Sequence, residues 1–151
     1  MRVSNYIEYI QRCEEELAKA FKVVAKHHIL EPDVHEMCNL LASWSLDHVE
    51  NLQTMILRYG DEEEKEPDRL DYSILTMRTG SLGLLRDLHD LWLMVNEVKL
   101  CWIILLQSAK ALRDTKLKLA CLQFGAQTRR QGEWLMTKIK QSTSQVLTVP
   151  A

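Results

Sequence analysis

The sequence predicts an all-α protein, a four-helix bundle with a long crossover between its second and third helices. Three observations predict it. Apolar residues recur at three- and four-residue spacing through four long stretches, and only three prolines and five glycines interrupt 151 residues. Two of the three connections are a few residues long, while the one between the second and third stretches is roughly twenty. Finally, two apolar faces are broken at matching positions by polar pairs, Ser45-x-x-His48 in one and Thr128-x-x-Gln131 in the other.

The first helix is expected from about Ser4 to His28. Ile10, Cys13, Leu17, Ala20, Phe21 and Val24 fall on one face, with Glu8, Gln11, Arg12, Glu15, Lys19 and Lys22 opposite. The second opens at Pro32-Asp33, where proline suits the first helical turn, and ends at Gly60. Its inward face reads Leu41, Ser45, His48, Leu52, Met55. The third is expected from about Ser81 to Arg113. The fourth, from about Thr115 to Gln145, turns Phe124, Thr128, Gln131, Leu135 and Ile139 inward. The tail Val146–Ala151 is expected to fray or to lie extended.

Ile29-Leu30-Glu31 and a break near Arg113-Asp114 are short enough to make the 1–2 and 3–4 pairs antiparallel hairpins. Asp61 to Gly80 is long enough to return the chain to the far end of a bundle whose helices span roughly 40 Å. The matching placement of the polar pairs in the two hairpins suggests a pseudo-twofold layout.

Composition narrows the function classes. A formal charge of −2 without a basic tail or stripe argues against a nucleic-acid partner. Arg129, Arg130, Lys138 and Lys140 are interleaved with Glu133 and read as a solvated face. The start MRVSNYIEYIQRCEEE has no apolar signal core. The apolar run Leu91–Leu106 holds Asn96, Glu97 and Lys99 and is short for a bilayer, so no membrane partner and a cytoplasmic protein are expected. Cys13, Cys38, Cys101 and Cys121 form no C-x-x-C and read as reduced core thiols.

Projecting the first and third helices onto wheels adds Glu14 and Lys99 to the inward polar layer. Lysine and glutamate are almost never buried unpaired, so the two are expected to pair, directly or through water. At this point the chain resembles the ferritin-like superfamily, in particular its short rubrerythrin-like bacterial members. Length, the short-long-short order of connections and the depth of the polar layer carry the resemblance, together with the texture of QTRRQGEWLMTKIK. It implies a glutamate on helices 1 and 3 and Glu-x-x-His on helices 2 and 4, around two metals. Carried over by position, those places hold Glu14, Lys99, Ser45 with His48, and Thr128 with Gln131. Only Glu14 and His48 keep a ligand type, and a lysine ammonium in the layer would repel cations.

A metal-free, non-catalytic bundle with a structural, stress-related or interaction role is therefore expected, without cofactor. One alternative is a ferritin-like metalloprotein or oxidoreductase holding iron, manganese or zinc through Glu14 and His48. The other is a binder of a small apolar ligand in the bundle core. His27, His28, Glu31, Asp33, His35 and Glu36 crowd the 1–2 turn without fixed ligand spacing and read as a solvated turn. Gly125 and Gly132 share one face of helix 4 and suggest close helix approach; no phosphate-loop or nucleophile-elbow signature is present. Helix 3 is apolar nearly all round. Leu93, Leu100, Ile103 and Ile104 fall outside its inward stripe, and a homodimer through this face is the expected cover.

Overall fold

The computed structural model describes residues 3–60 and 78–148. They form four helices: α1 Val3–His27, α2 Pro32–Tyr59, α3 Gly80–Ala111 and α4 Thr115–Leu147. No strand occurs among the described residues. The helix boundaries lie within two residues of those expected, with one correction in the tail. Val146 and Leu147 continue α4, because nothing before Pro150 interrupts its hydrogen bonding, and Thr148 closes the helix through its N–H to Ser144 O.

Cross-helix contacts give each pair its direction. Gln11 Nε2 donates to Val49 O at 3.2 Å and His35 Nδ1 to Ala25 O at 2.8 Å, so α1 and α2 are antiparallel. Tyr9 reaches Glu97 at 2.9 Å and His28 reaches Asp87 at 2.9 Å, so α1 and α3 are antiparallel as well. Gln131 meets Leu41 O at 2.9 Å and Arg58 meets Asp114 at 2.8 Å, which sets α4 antiparallel to α2. It follows that α2 and α3 run the same way. They sit on one diagonal of the bundle, with α1 and α4 on the other. The expected crossover path falls on 61–77, outside the described residues.

The core is built as the helical period requires. Ile7, Ile10, Leu17, Phe21 and Val24 of α1 meet Leu41, Leu52, Leu88, Leu91, Leu105 and Leu135, all essentially inaccessible. Such burial is worth about 1.5–3 kcal/mol per large side chain, which is what holds four otherwise marginal helices together. Helix α3 is long and apolar enough to cross a membrane. In this fold its apolar residues divide between the bundle interior (Leu88, Leu91, Val95, Val98, Trp102, Leu105) and an outward stripe.

Asp114 locks one end. Its Oδ1 accepts from Leu117 N at 3.0 Å, capping α4, while Oδ2 takes Arg58 and the Tyr59 hydroxyl from the end of α2. Arg113 makes the preceding turn in the left-handed region, at φ 55.

The two glycines of α4 correct an expectation. Both face α3, but a methyl at Gly125 would lie 3.6 Å from Trp102 Cβ and one at Gly132 3.4 Å from Val95 Cγ1. These are ordinary contacts, so the helix approach does not require glycine. Gly125→Ala is therefore expected to stabilise the protein by up to about 1 kcal/mol through helix propensity, read from denaturant unfolding.

Candidate functional site

Three of the four helices send polar side chains to one depth of the bundle. Glu14 comes from α1, Ser45 and His48 from α2, and Thr128 and Gln131 from α4; all five are fully buried. They lie there because each occupies an inward position of its helix, between Ile10 and Leu17, Leu41 and Leu52, or Phe124 and Leu135. Burial leaves such groups no water, so each must find a protein partner or bear the desolvation cost.

His48 is the hub. Its Nδ1 donates to Glu14 Oε2, and its Nε2 donates to the amide oxygen of Gln127 at 2.7 Å. Two acceptors facing the two ring nitrogens fit the doubly protonated imidazolium. Burial by itself would lower the His48 pKa, but the Glu14 carboxylate overrides it and holds the value above the ordinary one. The ring is flanked by Phe124, 4.7 Å away, and by the edge-on indole of Trp102 at 5.9 Å. A second, neutral group lies alongside. Gln131 Nε2 donates to Leu41 O at 2.9 Å and to Ser45 Oγ at 3.0 Å, and Thr128 returns its hydroxyl to Phe124 O at 2.9 Å. Three buried atoms here have no protein partner: Glu14 Oε1, Gln131 Oε1 and Trp102 Nε1.

The expected partner of Glu14 is corrected. Lys99 is only half-buried and lines the outer groove between α3 and α4 with Arg129, Ile103 and Leu122. Its Cα sits on the flank of α3, and a four-carbon stem carries the ammonium to solvent at lower cost than to the core. The charge that meets Glu14 is His48.

The residues do not fit the two-metal site that the resemblance implies. The two side chains that keep a ligand type are joined to each other, and both nitrogens of an imidazolium carry protons where a metal would need a lone pair. No group of three or more histidine, cysteine or acidic side chains with metal-binding geometry occurs among the described residues. Between α3 and α4 an outer groove of about 180 Å³ is lined mainly by apolar side chains, among them Trp102, Ile103, Leu106 and Leu122.

Two polar clusters escaped sequence reasoning. At the α1–α2 turn, buried Asp87 of α3 takes His28 Nε2 at 2.9 Å and Arg78 at 3.2 Å, with His27 at 3.8 Å; Arg78 also bridges to Asp90 at 2.6 Å. The other residues expected around that turn scatter. His35 bonds to Ala25 O, Asp33 pairs with Lys138, and Glu31 and Glu36 are exposed. At the seam of α1 and α3, Glu97 Oε1 accepts from the Tyr9 hydroxyl at 2.9 Å and from the Cys13 thiol at 3.6 Å. The available signals were an acidic residue inside an apolar run for Glu97, and for Asp87 an acidic residue on the inward face between Leu84 and Leu91.

No protein-family model, curated protein or solved structure matches the chain.

Proposed function

We propose that this is a metal-free, non-catalytic bundle of ferritin-like arrangement, cytoplasmic, acting as an interaction protein and assembling as a homodimer through α3. The carrying observation is the outward face of that helix. Leu93, Leu100, Ile103 and Ile104 are 39–56% exposed on a molecule whose core is already filled. Asn96 and Gln107 share the stripe uncharged, while the charged Glu97 and Lys99 flank it on either side. The parallel course of α2 and α3 supports the ferritin-like reading, because a connection from Gly60 to Thr79 then has to join opposite ends of the bundle. The imidazolium–carboxylate pair supports the metal-free reading: it neutralises the layer that two cations neutralise in a di-metal bundle.

Sedimentation velocity at micromolar concentration is expected to show a dimer, with an interface of at least the ~1,200 Å² of stable complexes. Ile104→Glu is expected to convert it to a folded monomer. Metal analysis of the freshly purified protein is expected to find well under one equivalent of iron, manganese or zinc. A monomeric wild type overturns the assembly, and stoichiometric metal that His48→Ala abolishes overturns the metal-free reading.

A further inference from the structure

Two stations of positive charge lie along the outer groove between α3 and α4, with apolar side chains between them. At the first, Lys99 of α3 and Arg129 of α4 line the recess formed by Trp102, Ile103, Leu106 and Leu122. At the second, one turn further along the same seam, Lys110, Arg113 and Lys118 line another recess. None of these cations pairs with an acidic side chain among the described residues. Of the nearby acids, Asp114 is already taken by Arg58, the Tyr59 hydroxyl and the α4 cap. Glu133 lines only the adjoining recess on the far side of the Lys99–Arg129 station.

The spacing is the same on both banks of the groove. Lys99 and Lys110 are eleven residues apart on α3, and so are Lys118 and Arg129 on α4. Eleven residues make about three turns, so each pair leaves its helix on one side, about 16 Å apart. Between the stations the banks are apolar and open, with Ile103 and Leu122 both 48% exposed. Gly125 lines the same recess, although the packing of α4 on α3 does not require glycine there.

We propose that this groove docks one acidic amphipathic helix of another protein, with carboxylates three turns apart on the two cationic stations and apolar residues on the recess between them. The match is one of period. On a single helix an acid at i and another at i+11 share a face, and apolar residues at i+4, i+7 and i+8 fall between them. Opposite charge steers and orients the encounter, while apolar burial supplies the affinity. A flat bilayer is a poor counterpart to a concave recess. A nucleic-acid backbone carries charge through the very interval where the groove offers only apolar surface. The proposal rests on the interaction reading given above, but not on the homodimer. Leu93, Leu100 and Ile104 lie outside the groove, and of the α3 stripe only Ile103 lines it.

The test is fluorescence anisotropy of a labelled sixteen-residue peptide titrated with the full-length protein. The peptide has an alanine–glutamine background, glutamate at its third and fourteenth positions, and leucine at its seventh, tenth and eleventh. Saturable binding that weakens with added salt is expected. The double variant Lys99→Glu/Arg129→Glu is expected to weaken it about tenfold or more, and Leu122→Ser about fivefold. Moving the second glutamate from the fourteenth to the twelfth position turns it to the opposite side of the peptide helix and is expected to weaken binding as well. Ile104→Glu, outside the groove, is expected to leave peptide binding unchanged, so loss of the dimer and loss of docking are read separately. Absence of binding, or equal binding by the charge-reversed protein or the shifted peptide, overturns the proposal. So does growth of the wild type beyond a dimer in sedimentation that Lys99→Glu/Arg129→Glu abolishes, because a second copy then fills the groove.

Discussion

His48→Phe is expected to lower the free energy of unfolding by about 3–5 kcal/mol. Phenylalanine fills much of the space between Phe124 and Trp102. It leaves Glu14, fully buried on the facing helix, with an acidic group and no cation. The double variant Glu14→Leu/His48→Phe removes both charges and is expected to recover most of the loss, because desolvation cancels much of what the intact pair contributes. If the double variant is no more stable than the single one in denaturant melts, the two residues are not acting as a pair.

The same pair fixes a pH dependence. Glu14 raises the His48 pKa in the folded protein, whereas the unfolded chain returns it to the ordinary histidine value of 6.5. The contribution is therefore complete below pH 6.5 and declines as pH rises through the higher folded value. Wild-type stability should fall with rising pH in that window, and the difference between the wild-type and double-variant curves should carry the slope. A difference that stays flat there would show that His48 is neutral in the fold.

Asp87→Ala is expected to cost about 3 kcal/mol, near the upper range for losing hydrogen bonds to a charged acceptor. The carboxylate has no exposure and gathers His28, Arg78 and, more distantly, His27 from two other segments. Arg78→Ala should cost less, since its guanidinium is partly hydrated and Asp87 keeps His28. Hydrogen exchange should localise the damage, with faster exchange at the end of α1 and the start of α3 and little change at the Asp114 cap. Uniformly faster exchange would mean that the cluster supports the whole core and not one end.

Helix order, helix ends and the inward faces were legible because they depend on local rules. A 3.6-residue period, a proline in a first turn or an aspartate before an apolar stretch acts within a few residues of itself. For the same reason Ser45, His48, Thr128 and Gln131 could be placed in one layer from spacing alone. Flank positions are different. One residue turns a helix face by about 100°, so Lys99 and Glu97, two apart, leave α3 on opposite sides. Which of them enters the interior depends on the neighbour each side meets. In this bundle α3 has α1 on one side and α4 on the other. Glu97 therefore finds Tyr9 and Cys13, while Lys99 is left in the outer groove with Arg129.

By itself, then, the chain determined four amphipathic helices, two short hairpins and a polar layer in an apolar core. Only the tertiary structure decided that His48 and not Lys99 neutralises Glu14, that Asp87 gathers the histidines of the α1–α2 turn, and that Glu97 meets Tyr9 and Cys13. Each of those pairs joins residues more than thirty positions apart in sequence, on different helices. No local propensity carries such information. Packing chooses which helices become neighbours, and the high cost of an unpaired buried charge then selects the partners within reach.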